Sequence, residues 1–245
     1  MRSSRFPGKP LALIDGKPMI WHIWSRARLS RLDEVVIATC DEEIRSAAEA
    51  FGAKTVMTSE KHRGCNDRVA EAAKSMPEFD VVLNIQGDEP LVHPDLLNDI
   101  LLKFEKDDDA FCVNPISELT DPHDLESPNT VKVVYNLSGR VLYFSRYPIP
   151  SDKVHPRSVP VYRQVPFFGF RRDFLLKLSE LPDSPLEIQE GVDLMRIIDN
   201  GLSIDVLKTA FQTIGVDLPE DVLRVEKALR LDSIYGRYGD SKGAA

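Results

Sequence analysis

The sequence predicts an α/β fold, with a largely parallel sheet covered by helices on both faces. Short runs rich in Val and Ile alternate with amphipathic helical patterns through the first hundred residues, the rhythm of successive βαβ units. Beyond about residue 109 the rhythm changes to short strands joined by loops, which predicts antiparallel pairs in a β-rich part.

Taken in order, 33–39 (DEVVIAT) reads as a buried strand. Residues 41–52 read as a helix whose Ile44, Ala47, Ala48 and Phe51 form one apolar stripe, stopped by Gly52. A strand at 53–58, a helix at 66–76 and a strand at 80–86 follow, the last breaking at Gly87. The helix at 93–106 turns Leu97, Ile100, Leu101 and Phe104 inward. In the β-rich part, 111–116, 131–136, 141–145 and 165–170 read as strands, with no helix among them. Helices are predicted at 172–181 and 187–201, the second weakened by Gly191. A late strand at 204–209 and a closing helix at 219–231, with Pro219 in its first turn, complete the series. The tail 239–245 has the composition of disorder.

Composition narrows the function. Lys plus Arg number 31 against 39 Asp plus Glu, a net charge of −8, which argues against a nucleic-acid partner. The three cysteines, Cys40, Cys65 and Cys112, have no C-x-x-C spacing, so neither a disulfide framework nor structural zinc is predicted. The sequence contains no leader-like apolar segment and no run of about 18 apolar residues. A cytoplasmic protein that makes no membrane contact is the expectation.

Three segments carry chemistry. Arg2-Ser-Ser-Arg-Phe-Pro-Gly-Lys-Pro-Leu11 sets three cations and a permissive Gly8 where a polyphosphate can be cradled, but lacks the spacing of a Walker A loop. A parallel sheet normally feeds such a loop from a strand, and none precedes it here. In Gln86-Gly-Asp-Glu-Pro90, Asp88 follows a buried strand, where a carboxylate can hold a divalent cation beside phosphates or simply start a loop. In Gly215-Val-Asp-Leu-Pro-Glu-Asp221, Asp217 sits at a strand-to-helix junction, as a metal ligand or as an N-cap.

Together with D-G-K-P-M-I (15–20), V-K-V-V (131–134) and Y-F-S-R (143–146), these segments resemble the 3-deoxy-manno-octulosonate (Kdo) cytidylyltransferases, the CMP-Kdo synthetases, over nearly the whole chain. The resemblance implies a three-layer αβα, Rossmann-like nucleotidyltransferase with a mostly parallel mixed sheet and a small β-rich dimerisation and acceptor part. It implies one domain over 1–238: a nucleotide-binding part (1–108), the β-rich part (109–200) and a return to the sheet (201–238). It also implies a first strand upstream of Met1.

The activity it implies is transfer of CMP from CTP to a small acidic acceptor, a Kdo-like sugar acid or a phosphonate, by a homodimer using Mg²⁺. Lys9, Arg5 and Asp88 take catalytic roles. Arg2, Ser3, Arg5, Lys9, Asn66, Arg68 and Gln86 bind the nucleotide. Gln86, Arg146, Gln164, Phe168, Glu190 and Asp193 bind the acceptor, and Asp88 and Asp217 hold the metal. A nucleotide-sugar glycosyltransferase, or a nucleotide binder without activity, is the alternative.

The chain departs from the family at named places. S-G-T-[ED]-R becomes Gly64-Cys-Asn-Asp-Arg68, and Asn66 keeps both a donor and an acceptor for the base. His becomes Gln164, Tyr becomes Phe168, Glu becomes Asp193 and Gln becomes Leu194. Lining an acceptor pocket, these residues would leave hydroxyls of Kdo unpaired, so weak turnover of Kdo and better turnover of a smaller acid are expected.

Overall fold

In the computed structural model, which describes residues 6–62, 64–156 and 158–239, the chain crosses repeatedly between two units. One holds 1–61, 85–98 and 213–245, the other 62–84 and 99–212. In chain order the elements are β1 (Leu13–Ile14), β2 (Lys17–Pro18), α1 (Met19–Ala27), β3 (Val36–Thr39), α2 (Glu42–Ala50), β4 (Lys54–Met57), α3 (Cys65–Lys74), β5 (Val81–Ile85), α4 (Pro94–Lys106), β6 (Cys112–Glu118), α5 (Pro122–Glu126), β7 (Lys132–Tyr135), β8 (Val141–Ser145), β9 (Tyr162–Gln164), β10 (Phe167–Arg171), α6 (Arg172–Leu178), α7 (Pro185–Glu190), α8 (Met195–Asp199), β11 (Asp205–Thr209) and α9 (Pro219–Leu229).

The first unit is built on the parallel pair β3–β4 and the small hairpin β1–β2. Ile20 and Trp24 of α1 pack with Ile44 and Ala48 of α2, and with Ala53, into one apolar cluster. Every residue of α1 is buried, polar ones included. Arg26 meets this burial by donating to the Val92 carbonyl at 2.7 Å and pairing with Asp232. His22 Nε2 lies 2.7 Å from the Ile14 carbonyl, so it carries the proton and donates, which leaves Nδ1 to accept from the Tyr238 hydroxyl at 3.3 Å.

The second unit is built on a seven-stranded sheet of order β5-β10-β6-β9-β7-β8, with β11 also on β6. β6 and β11 run parallel over Val113–Ser117 and Asp205–Thr209. β6–β9, β6–β10, β7–β8 and β7–β9 are antiparallel. The sheet is therefore mixed, with antiparallel pairs among the strands between 112 and 171, where the sequence predicted them, and a parallel pair where β11 returns to β6. Of the antiparallel pairs only β7–β8 is a hairpin, joined by the short return after Tyr135; β6 meets β9 and β10 across long connections.

β9 and β10 occupy successive stretches of β6. The strand expected over 165–170 is broken at Pro166, which has no N–H to give to a ladder. Buried Asn114 bridges the break, donating to the carbonyls of Val165 (2.9 Å) and Phe167 (3.2 Å). The helix expected over 187–201 likewise divides into α7 and α8, because Gly191 turns left-handed at φ 61°. Buried Arg196 then ties the pieces to α3. It grips Glu187 with two donors (2.8 and 2.7 Å), Asp67 at 2.9 Å and Asp183 at 3.0 Å. The Glu187 carboxylate, more than any other neighbour, raises the pKa of this guanidinium above its ordinary value. No helix among the described residues is long and apolar enough to cross a membrane.

Candidate active site

In the first unit the structure brings together Lys9, Asp88 and Asp217. Lys9 follows Gly8, whose positive φ of 73° turns the chain into a single 3₁₀ turn over Lys9–Leu11. Asp88 lies in the tight turn after β5, where the Glu89 N–H donates to the Gln86 carbonyl at 3.3 Å. The segment 215–217 is drawn against that turn by the Val216 N–H, which donates to the Asp88 carbonyl at 2.9 Å. Gly215 permits the approach: a Cβ there would lie 2.9 Å from Glu89 Oε1. As a result Lys9 Nζ lies 2.7 Å from Asp88 Oδ2 and 3.7 Å from Asp217 Oδ1.

The alternative reading of Asp217 as a helix cap is resolved by its neighbour. Asp221 accepts the N–H groups of Asp217 (3.0 Å) and Leu218 (2.9 Å) at the start of α9. Burial pushes the Asp221 carboxyl up, but these two donors and Arg224 outweigh it and hold its pKa below the ordinary 3.8. The N-cap position of α9 belongs to Leu218, one residue after Asp217.

Two carboxylates converging on one ammonium also suit a hard divalent cation. Among the described residues no group of three or more His, Cys, Asp or Glu forms a complete protein cage. A pair of carboxylates is the donor set expected for an ion that completes its shell with water and substrate phosphates.

In the second unit Asn66 stands in the first turn of α3 and is buried. Its Oδ1 accepts from Asn84 Nδ2 at 2.8 Å, which fixes the amide and leaves buried Nδ2 without a partner among the described residues. Asn84 went unnoticed in the sequence, although it is the lone polar residue in an otherwise apolar strand. Arg68 lies on the same helix, and Gln86 precedes the Asp88 turn in the first unit. Arg2, Ser3 and Arg5 lie outside the described residues.

Most of the acceptor residues inferred from sequence have structural partners. The Asp193 carboxylate accepts the Cys65 N–H at 2.8 Å and so caps α3 from a distant part of the chain; a Cβ on Gly64 would lie 2.8 Å from its Oδ2. Phe168 and Leu194 belong to the main apolar cluster of the unit. Glu190 accepts the Arg146 N–H (3.0 Å) and the Tyr143 hydroxyl (3.1 Å). Arg146 donates to the carbonyls of Glu190 (2.6 Å), Pro128 (2.6 Å) and Gly191 (3.1 Å). Gln164, at the end of β9, has a buried Nε2 with no partner among the described residues. The pocket argument against Kdo thus loses Phe168 and Leu194 to the core and Asp193 to a helix cap.

Fold and site together define a nucleotidyltransferase. Residues 1–204 match the family described as Cytidylyltransferase, and the chain belongs to that family. Similar proteins include the 3-deoxy-manno-octulosonate cytidylyltransferase of Solibacter usitatus, 40% identical over 96% of this chain and 93% of that one. The protein of the same name from Myxococcus xanthus is 40% identical over 93% of this chain and 92% of its own. A CMP:2-keto-3-deoxy-manno-octonic acid synthetase solved in complex with CTP matches with a TM-score of 0.87 and 35% identity over 94% of each chain. A cytidylyltransferase from Leptospira borgpetersenii, at 15% identity and a TM-score of 0.62 over 95% of this chain and 84% of its own, shares the fold alone.

Proposed function

We propose that this protein transfers CMP from CTP to 3-deoxy-manno-octulosonate and releases pyrophosphate, with Mg²⁺ held by Asp88 and Asp217. The observation that carries this reading is the convergence of both carboxylates on Lys9; the names of the relatives supply the nucleotide and the acceptor. The acceptor hydroxyl oxygen attacks the α-phosphorus in line, the bond to the β-phosphate bridging oxygen breaks, and the hydroxyl proton passes to solvent. Bound Mg²⁺ would supply charge neutralisation at the phosphates. Lys9 adds a fixed cation where negative charge gathers on the phosphate oxygens, and it needs no reorganisation during the reaction. Asn66, Arg68 and Gln86 are assigned to the nucleotide, together with Arg2, Ser3 and Arg5. Gln86, Gln164, Arg146 and Glu190 are assigned to the acceptor.

Phosphate release by coupled pyrophosphatase tests the reading. It should require CTP, Kdo and Mg²⁺ together and should stop with excess EDTA. Release with a small phosphonate but not with Kdo would overturn the acceptor assignment. Activity with a CMP- or UDP-sugar donor would favour a glycosyltransferase. The reading includes a homodimer in the cytoplasm. Exposed Tyr147 and Leu142, at 82% and 54%, support a self-association surface in that stretch, and sedimentation at micromolar concentration tests it.

A further inference from the structure

Lys132, the lysine of the V-K-V-V segment, is completely buried. It lies on β7 opposite Ser145 of β8 and Arg163 of β9. An ammonium has three N–H donors. Here they go to three backbone carbonyls: Ser127 at 2.9 Å, Thr130 at 2.8 Å and Arg146 at 2.5 Å. Among the described residues no carboxylate pairs with it. Glu126 and Glu190 act on it only through space; burying a cation without a direct ion pair costs stability, and an apolar side chain of similar length would fill the same space at less cost. The lysine therefore does something that packing alone does not require.

What it does can be read from its acceptors. One is the peptide carbonyl of Arg146, whose guanidinium in turn holds the carbonyls of Pro128, Glu190 and Gly191. Glu190 closes the circuit by accepting the Arg146 N–H. Loop 127–130 is thereby fixed at Ser127 and Thr130 by Lys132 and at Pro128 by Arg146. The end of β8 and the end of α7 are fixed to the same hub.

We propose that Lys132 is a positioning residue that sets acceptor affinity by holding Arg146, Glu190 and loop 127–130 in register. The proposal rests on the acceptor roles assigned above to Arg146 and Glu190. Lys132 touches no reacting atom and acts only through the backbone it holds.

The test is Lys132→Met, which keeps the length of the side chain and removes all three donors, read by kinetics with CTP and Kdo and by amide hydrogen exchange. The expected result is a KM for Kdo raised between about tenfold and a hundredfold, the range for a displaced positioning contact, with the KM for CTP essentially unchanged. Exchange should rise in peptides covering 127–131, 146–147 and 190–191, and not in those covering Asp88 and Asp217. Equal rises in both KM values, or a wild-type KM for Kdo, would overturn the proposal. Should Lys132→Met fail to fold, Lys132→Arg is read in the same way, because a planar guanidinium keeps the charge but cannot reproduce three converging donors. If the wild-type protein does not use Kdo at all, the acceptor reading fails separately. The exchange pattern then decides: raised exchange in those three segments supports the hub, and wild-type exchange refutes it.

Discussion

Asp217 and Asp221 stand four residues apart, and their partners differ: Asp217 faces Lys9, whereas Asp221 accepts two N–H groups. The informative perturbation is therefore a pair of substitutions, Asp217→Asn and Asp221→Ala. The Asp217 side chain is 44% exposed and lies 3.7 Å from Lys9. A solvent-screened pair of that kind contributes a few tenths of a kcal/mol, which for a chain of this size moves Tm by about 1 °C. Removing the carboxylate also relieves repulsion with Asp88, so even this small loss is an upper bound. Its effect on rate should be large, because losing one preorganised electrostatic partner costs about 2.7–4 kcal/mol in the transition state, roughly a hundredfold to a thousandfold in kcat. Asp221 accepts two N–H groups, at 3.0 and 2.9 Å, at the start of α9. Losing those two hydrogen bonds should cost about 1 kcal/mol, or roughly 3 °C in Tm, with most of the activity retained. Pyrophosphate release and thermal melting on the same preparations provide the comparison. If Asp217→Asn retained activity within about tenfold of wild type and lost as much stability as Asp221→Ala, the division of duties would be refuted.

Three further outcomes are expected. Lys9→Ala should lower kcat by about a hundredfold or more through the same electrostatic loss, and a change below about tenfold would reduce Lys9 to a surface lysine. Gly64→Ala should cost about 1 kcal/mol in urea unfolding, because its Cβ takes the place of the Asp193 carboxylate 2.8 Å away. Adding Asp193→Asn should then cost little more, since both remove one contact. His22 gives a pH signature. Burial, foremost among its causes, holds its pKa below the ordinary 6.5. The unfolded chain therefore takes up the proton first as pH falls past 6.5, and stability drops from there down to the lower folded pKa. Urea unfolding across that window should show the drop in wild type and a flatter profile in His22→Gln.

How much was legible depended on whether a residue's partner was local. α2, α4 and α9 were readable because each carries one apolar stripe and a polar face. α1 was missed although His22, Ser25 and Arg26 share one face at helical spacing, and the structure buries that polar face together with the apolar one. Within the site, Lys9, Asp88 and Asp217 stand in recognisable segments, and the structure brings them together. That Asp221 reaches back from the first turn of α9 to the N–H groups of Asp217 and Leu218 could not be read from the sequence. Asp193 is a harder case. Its partner, the start of α3, lies 128 residues away, and nothing near Asp193 in the chain announces it. Lys132 differs: it is conspicuous as part of a motif, and two of its carbonyls lie in the loop just before it, but only the structure adds the third, that of Arg146.

The acceptor question narrows for the same reason. Four positions appeared rewritten for a less hydroxylated ligand. Two of them, Phe168 and Leu194, are core residues, and Asp193 is a cap, so their identities answer to packing and to a helix end. Gln164 alone still has chemistry to spare: its Nε2 is buried and has no partner among the described residues. An unmet buried donor costs about 1–3 kcal/mol, and a packing requirement alone would be met better by Leu. A ligand oxygen would supply the missing acceptor. Gln164→Leu separates the two readings, because it keeps the volume and removes the donor. If Gln164 only packs, the variant should be at least as stable as wild type, with an unchanged KM for Kdo. If it contacts the acceptor, stability should again not fall, but the KM for Kdo should rise by about fivefold to a hundredfold, the kinetic equivalent of one such hydrogen bond. The second outcome is expected, and an unchanged KM for Kdo would remove Gln164 from the acceptor site.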